Sequence, residues 1–179
     1  MTKNVVFKLV KMLGILILVV FIAWCIRQYA NHQAFNRLTE LPYLVELFQS
    51  ETSFEELNRS WLIMGEPVSN TSHNQNSWHI REFFIGRRGI LHFDYNEMEE
   101  LIISSISFFS SDNPIMVFDG IAIDFRNEDY LNIAIEQFNR LYHVEVQYSA
   151  YNLSFEFSGL SIDISYVSET VMARINLAL

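Results

Sequence analysis

Met12 to Ile26 reads MLGILILVVFIAWCI, an uncharged run of 15 residues that ends at Arg27. With residues 5–10 added in front, the apolar segment reaches the length of about 20 residues that a helix needs to cross a bilayer. The flanking lysines can keep their charges at the interface while their alkyl stems stay in the apolar layer. We therefore expect residues 1–33 to be a transmembrane signal anchor and neck, with residues 5–27 in the lipid bilayer.

Three other interpretations of this apolar run are open. A cleaved signal peptide also has a basic start and an apolar centre, but it needs small residues at its cleavage site, where this chain has Ala23, Trp24 and Cys25. A bacterial lipoprotein signal also ends its apolar run at a cysteine, but it requires a small residue in the place of Trp24. The third alternative is the buried core helix of a globular protein, which does not need apolar residues on every side.

Positive charges flanking the apolar run predict its orientation. Lys3, Lys8 and Lys11 precede the run together with the α-amino group, whereas Arg27 and Arg37 follow it. Positive charge is retained on the cytoplasmic side of a membrane, so the N-terminus is expected in the cytoplasm and the remaining chain outside it. We expect a single-pass protein of a bacterial inner membrane with a periplasmic C-terminal domain.

Charge is divided unevenly along the chain. Residues 28–179 contain eight arginines, no lysine and all 21 acidic residues, so their formal charge is −13. A domain with this charge is repelled by nucleic acid and by anionic lipid, and it is attracted to basic protein surfaces. We therefore expect a basic protein partner and no binding of nucleic acid. Cys25 is the single cysteine, which excludes an intramolecular disulfide and a cysteine zinc site.

Two short helices are predicted directly after the neck. Residues 41–48 have a helical distribution of apolar side chains, with a proline in the first turn, where proline is tolerated. Residues 52–57 read TSFEEL, a capping-box pattern in which a hydroxyl side chain satisfies a free backbone amide three residues later. Apolar residues at helical spacing continue to Leu62, and Gly65 and Pro67 are expected to end this helix.

From Trp78 onward, the apolar residues recur at every second position, which predicts strands. The predicted strands cover residues 78–85, 90–95, 101–109, 143–148, 153–157, 160–166 and 170–177, the last of which has a helical alternative. Asp119-Gly120 predicts a tight hairpin over residues 117–123, and Asn127 is expected to cap an amphipathic helix. Residues 70–77 and 110–114 are expected to be loops.

Together these elements predict an α+β fold, in which a transmembrane helix precedes an antiparallel sheet or sheets with helices packed on one face. A helix followed by strands occurs twice, so the acidic domain 34–179 is consistent with a diverged tandem repeat of residues 34–112 and 113–179. Two pairs of similar short segments support the repeat: residues 78–80 with 142–144, and residues 91–95 with 153–157. The other face of such a sheet would be free to bind another protein.

Residues 52–103 contain the TSFEEL segment, then Gly65-Glu66-Pro67, then Trp78 before a strand and Phe93-Asp94-Tyr95 before a turn. In these features the segment resembles the helix–helix–sheet module of the outer-membrane assembly lipoproteins of the SmpA/OmlA type. The tandem form of that shape is similar to the β-lactamase inhibitory protein. This resemblance implies a binding module without catalysis. The chain departs from those proteins in having no paired cysteines.

The sequence contains no common catalytic or nucleotide-binding motif, and no two of its five histidines have the helical spacing of metal ligands. We therefore expect no catalytic residues, no cofactor and no metal site. Arg87 and Arg88 are expected to form an exposed basic turn. Two acidic clusters are the predicted partner-binding residues: Asp94, Glu97, Glu99 and Glu100 in the first, and Asp124, Glu128 and Asp129 in the second. A solvated turn and acids at a helix N-terminus would explain the same clusters structurally.

The charge, the small size and the lack of catalytic motifs favour a binding function. We expect a membrane-anchored, extracytoplasmic protein-binding module of the inhibitor or immunity type, which neutralises a basic toxin or enzyme. The alternative is a non-catalytic structural component of a bacterial envelope assembly or secretion complex. A third possibility, an enzyme acting on envelope material, has no residues in the sequence that select it.

Overall fold

A computed structural model describes residues 3–68, 76–82, 86–110 and 115–178. Most of the predicted loop at 70–77, the end of the predicted strand at 83–85 and most of the predicted break at 110–114 lie outside the described residues. The fold is α+β, as predicted, with one long apolar N-terminal helix, a large antiparallel sheet, a small second sheet and three shorter helices.

Helix α1, Lys3–Arg37, continues without interruption through the predicted anchor and the predicted neck. Its apolar part is long and apolar enough to cross a membrane, and none of that segment is buried against the protein. Side chains such as Leu16 and Phe21 are 60% and 57% exposed, which removes the interpretation of this segment as a core helix. From Gln28 onward the helix instead contributes side chains to the fold, including the fully buried Phe35, and Leu38 directly after the helix is also buried.

Helix α2, Leu41–Gln49, and helix α3, Phe54–Arg59, follow α1. The predicted capping box is present, because the Ser53 side chain accepts a hydrogen bond from the backbone N–H of Glu56 and the Glu56 side chain accepts one from the backbone N–H of Ser53. Helix α3 is shorter than predicted. It ends at Arg59, and Trp61 is 63% exposed instead of lying on a buried helical face.

The large sheet has eight antiparallel strands in the order β1-β2-β3-β4-β10-β9-β8-β7. Their bounds are β1 Met64–Pro67, β2 Asn76–Arg81, β3 Arg88–Tyr95, β4 Leu101–Ser110, β7 Gln147–Ser149, β8 Asn152–Phe157, β9 Leu160–Val167 and β10 Thr170–Leu177. Two four-stranded meanders thus meet where β4 pairs with β10. Strands β5, Ile115–Phe118, and β6, Ile121–Asp124, form the predicted hairpin around Asp119-Gly120.

Helix α4, Glu128–Tyr142, begins at the predicted cap, where the Asn127 side chain accepts hydrogen bonds from two backbone amides. It buries Leu131, Ala134, Ile135 and Phe138. The rings of Phe138 and Phe155 lie 4.9 Å apart between their centroids, so α4 packs on the same side of the sheet as the inward side chains of β8.

Every helix contacts one face of the large sheet. Across the middle of that face, residues in register form a largely buried apolar row: Trp78, Leu91, Ile106, Ile175, Ile162 and Phe155. Helix α1 reaches this face through Phe35 and Phe108, whose ring centroids are 5.6 Å apart, and α3 reaches it through Phe54 and Trp78, at 4.3 Å. Burial of this apolar area is the main favourable term for the fold.

Two further details of the sequence prediction are wrong. Gly65 and Pro67 do not end a helix; they lie in the edge strand β1, where a proline is tolerated because an edge strand has unpaired amides. His143 does not begin a strand; it follows α4 in the left-handed conformation, with φ of 54°. The predicted strand at 170–177 is confirmed, and its helical alternative is excluded.

The segments that suggested a repeat do not fall on equivalent elements. Residues 78–80 lie in β2, whereas Tyr142 is the last residue of α4. Residues 91–95 lie in β3, the second strand from the seam, whereas residues 153–157 lie in β8, the third strand from it. The strand order nevertheless relates the two meanders by an approximate twofold arrangement, and a common ancestry of the halves stays a prediction.

Candidate functional site: the helix-free face of the sheet

The second face of the large sheet carries no helix among the described residues, and we call it the open face. One complete row of register partners on it is polar: Ser77, His92, Ser105, Asn176, Ser161 and Glu156. Alternation along each strand explains this composition, because neighbouring residues point to opposite faces and the inward ones are apolar. The open face therefore carries a polar band across six paired strands, which suits the binding of another macromolecule.

A depression of about 410 Å³ lies on the open face where β3, β4 and β10 meet. It is lined by His92, Asp94, Ser104, Ser105, Arg174 and Asn176. The Ser77 hydroxyl and His92 Nδ1 are 2.7 Å apart, which fixes the imidazole ring. Partial burial lowers the pKa of His92, the nearby Arg174 lowers it further, and Asp94 opposes both effects. His92 is thus favoured in its neutral form.

A second depression, of about 460 Å³, lies on the open face at strands β7, β8 and β9 and is acidic. Among the described residues, its lining contains three carboxylates, Glu145, Glu156 and Asp163, and Arg174 lies opposite Asp163 on the next strand. We call it the acidic depression. Glu156 and Ser161 are register partners, as are Ser154 and Asp163, so the carboxylates and hydroxyls share one surface. This arrangement can accept hydrogen bonds and positive charge from a basic partner.

The two predicted acidic clusters lie at opposite ends of the strands. Asp94 pairs in register with Ile102, near the turn that holds the rest of the first cluster. The second cluster follows β6, where Phe125 stacks on Tyr166, at the level of the far end of β4. Eight residues of strand separate these levels, or roughly 26 Å at about 3.3 Å per residue. A small partner protein could therefore not centre its binding surface on both clusters at once.

Within the clusters, several acids have structural partners. The Arg126 guanidinium donates hydrogen bonds to the Asp124 carboxylate, and this lowers the pKa of Asp124. Glu128 and Asp129 occupy the first turn of α4, where negative charge is favourable. Asp94 lines a depression of the open face. The assignment of these seven residues to a partner site stays a prediction.

The acidic depression was not predicted as a unit, because its three carboxylates come from separate segments. Glu145 precedes β7, Glu156 lies in β8 and Asp163 lies in β9. The alternation in 153–157 and 160–166 predicts that Glu156 and Asp163 point away from the core, which is the one sequence signal available. Their proximity depends on the pairing of β8 with β9 in the observed register.

A polar cluster joins α1 to the sheet, and we call it the helix joint. Asn31 donates a hydrogen bond to the carbonyl oxygen of Arg81 at 2.8 Å and accepts one from the backbone N–H of Ile63 at 2.6 Å. His32 Nδ1 lies 3.1 Å from a carboxylate oxygen of Glu82, whose side chain is fully buried. Burial lowers the pKa of Arg87, and the neighbouring Glu82 opposes that shift. These contacts fix the direction of α1 relative to the sheet.

No group of three or more metal-binding side chains occurs in the part of the chain that the structure describes. Comparisons of the chain with protein-family models, with curated proteins and with solved structures gave no match. Fold and site together define an α+β protein with one long apolar N-terminal helix and an open polar sheet face. The resemblance of residues 52–103 to the SmpA/OmlA module stays a prediction.

Proposed function

We propose that the protein is a membrane-anchored, extracytoplasmic binding module of the inhibitor or immunity type, which captures a basic protein on the acidic side of its open face. The observation that carries the proposal is the acidic depression, in which Glu145, Glu156 and Asp163 line one surface. Arg174 faces Asp163 across the β9–β10 pair, so the three carboxylates outnumber the arginine beside them. A formal charge of −13 on residues 28–179 would speed the encounter with such a partner. The apolar part of α1 would hold the module at the bacterial inner membrane, where an incoming toxin arrives.

The experiment is a challenge of cells that lack the protein with neighbouring strains, followed by complementation. We expect the deletion to increase sensitivity to at least one challenging strain and the wild-type chain to restore protection. The double variant Glu156→Gln/Asp163→Asn should fail to protect. A matched control, Glu46→Gln/Glu136→Gln, removes the same charge from exposed positions of α2 and α4 and should protect like the wild type.

Two outcomes contradict this function. Unchanged sensitivity of the deletion strain to every challenger argues against the immunity type. Equal failure of both double variants would show that total charge matters and the acidic depression does not. A variant with three substitutions, Glu97→Gln, Glu99→Gln and Glu100→Gln, tests the first predicted cluster in the same assay, because a loss of protection would move the contact to the β3–β4 turn.

A second candidate function is a non-catalytic component of an envelope assembly or secretion complex. The helix joint favours it, because a fixed angle between α1 and the sheet would hold the open face in one orientation above the membrane. Purification in mild detergent distinguishes the two functions. A machine component should bring envelope proteins in constant proportion, and that association should survive high salt, whereas capture of a basic protein by charge should weaken with salt.

A further inference from the structure

Arg81 and Arg88 lie directly opposite each other on strands β2 and β3. Both side chains are exposed, and register partners in an antiparallel pair have Cβ atoms about 5 Å apart on the same face. Like charges in this position are destabilising. Within the described ranges, neither guanidinium forms an ion pair with a carboxylate. The pair therefore places two uncompensated positive charges together in a domain that is otherwise strongly acidic.

This arginine pair lies next to the point where α1 leaves its apolar segment. The carbonyl of Arg81 accepts the hydrogen bond from Asn31, which follows Ile26, the last residue of the uncharged run, by five positions. Five residues of helix rise about 7 Å. The headgroup layer on each side of a bilayer is about 5–8 Å thick, so this corner of the sheet would stand at headgroup level if α1 spans the membrane.

Beside the pair is a depression of about 330 Å³ with unpaired hydrogen-bonding groups. It is lined by Gln28, Ile63, Arg81, Glu82, Gly86, Arg87 and Arg88. Gln28 is the first buried side chain along α1, at 9% exposure, and its Oε1 atom has no hydrogen-bond partner. The buried Nε of Arg87 also has no hydrogen-bond partner, since the nearest Glu82 oxygen is 3.8 Å away. An end-over-end rotation of the Gln28 amide would present its NH₂ group as a donor.

We propose that this depression binds the phosphate group of an anionic phospholipid, with Arg81 and Arg88 as the charged contacts and Gln28 and Arg87 as further donors. Arginine suits the ligand because its planar fork of N–H groups matches phosphate oxygens. Glu82 is the one carboxylate among the described residues of the lining, and its charge is directed to His32 and Arg87. The proposal rests on the membrane anchoring stated under the proposed function. The arginine pair would attract this corner of the domain to the bilayer, although the net negative charge of the domain is repelled by anionic lipid.

The test uses the full-length chain reconstituted in vesicles of phosphatidylcholine, alone or mixed with phosphatidylglycerol. After extraction in mild detergent, native mass spectrometry counts the lipids that remain bound. We expect the wild-type chain to retain phosphatidylglycerol selectively. The variant Arg81→Gln/Arg88→Gln should bind it roughly thirtyfold more weakly, from about 1 kcal/mol for each arginine. The control Arg59→Gln/Arg140→Gln removes the same charge from exposed positions elsewhere and should retain the lipid.

Other measurements separate this site from the anchor. If the chain floats with vesicles of both compositions but retains no phosphatidylglycerol, the lipid site is overturned and the anchor stands. If it floats with neither, both proposals fail. Equal weakening in the two double variants would reduce the effect to overall charge and overturn the site. Displacement of phosphatidylglycerol by millimolar inorganic phosphate would assign the depression to free phosphate and overturn the lipid assignment. Thermal unfolding checks the fold, and Tm of Arg81→Gln/Arg88→Gln should be unchanged or raised.

Discussion

At the residue scale, Asp119 connects three parts of the fold through one side chain and one amide. Its carboxylate accepts hydrogen bonds from the backbone N–H of Leu41, at 3.2 Å, and from the Tyr142 hydroxyl. Its own N–H donates to the carbonyl of Thr39 at 2.8 Å. Asp119, in the β5–β6 turn, is therefore the common acceptor for the start of α2 and the end of α4. Burial, with the hydrogen bond to Asp119 as the next cause, raises the pKa of Tyr142.

Replacing Asp119 with alanine should lower the free energy of unfolding by about 2–4 kcal/mol, because two partly buried donors lose their acceptor. Alanine also tolerates the observed φ of 50° less well than aspartate does. Asp119→Asn keeps one acceptor oxygen and should cost less, and Tyr142→Phe should cost about 1 kcal/mol. Urea unfolding of the three variants checks the order. A loss in Asp119→Ala no greater than in an exposed control, Asp94→Ala, would contradict the connecting role.

His92 predicts a pH dependence of stability with a defined sign. Its pKa is lower in the folded chain than the ordinary value of 6.5, so the unfolded state takes up the proton first during acidification. Above the ordinary pKa, His92 is neutral in both the folded and the unfolded state, and its full contribution to stability is present. As the pH drops through that value, the unfolded state binds the proton and the free energy of unfolding falls. Between about pH 8 and about pH 5, the wild type should lose more stability than His92→Gln. Arg174→Gln should fall between them, and identical pH profiles for all three proteins would refute the assignment.

At the element scale, the turn between β9 and β10 is under backbone strain. Ser168 and Glu169 both have positive φ, 51° and 66°, although neither is glycine. The neighbouring β8–β9 turn uses Ser158 and Gly159 for the same geometry. A left-handed conformation costs a non-glycine residue about 1–2 kcal/mol, and Asn-Gly is the preferred sequence for two successive positive φ angles.

Ser168→Asn/Glu169→Gly should therefore raise the free energy of unfolding by about 1 kcal/mol, after the larger entropy of glycine in the unfolded chain is subtracted. Gly159→Ala is the opposite control and should lower the free energy of unfolding by a similar amount, because alanine is strained at φ of 83°. A Cβ atom at this position would meet no neighbouring atom, so the loss would come from the backbone conformation alone. Chemical denaturation measures both. If Ser168→Asn/Glu169→Gly is instead less stable than the wild type, Ser168 or Glu169 makes a contact that stabilises the fold by more than the strain destabilises it.

The local elements were predictable from the sequence, and the pairing of distant strands was not. Asn127, Ser53 and Asp119-Gly120 act on neighbouring residues, so their cap and turn patterns correctly predicted where α4 and α3 begin and where the hairpin turns. Gly65 misled the prediction because its role is long-range: a Cβ there would lie 3.2 Å from the carbonyl oxygen of His79 on the paired strand. The pairing of β4 with β10 joins residues far apart in sequence, and no alternation pattern specifies it.

The candidate site follows the same division. Alternation within β8 and β9 predicts which side chains point outward, including Glu156 and Asp163, but the assembly of the acidic depression requires the strand order. The acidic clusters were recognised in the sequence because each is local, and the structure separates them. Glu82 gave no useful signal, since its burial depends on His32, which is 50 positions earlier on α1.

At the scale of the whole molecule, α1 belongs to both the apolar segment and the folded domain. Gln28, Asn31, Phe35 and Leu38 are buried in the fold, so the last turns of α1 pack with the folded domain. Two meanders meeting at β4 and β10 form one continuous sheet, with the open face on one side and all the helices on the other. Because the last turns of α1 are packed on the sheet, the helix joint fixes the orientation of the open face relative to α1.

This continuity predicts a measurable difference between two soluble fragments. Residues 28–179 keep the helix joint, whereas residues 34–179 lose Asn31 and His32 and leave the amide of Ile63 and the carboxylate of Glu82 without these partners. The shorter fragment should unfold at lower urea, with a free energy smaller by about 3 kcal/mol, because partly buried polar groups lose their hydrogen bonds. Asn31→Ala in the longer fragment should reproduce about half of that loss, and Arg59→Ala, an exposed helical control, almost none. Equal stability of the two fragments would mean that the joint adds nothing and that α1 does not set the direction of the open face.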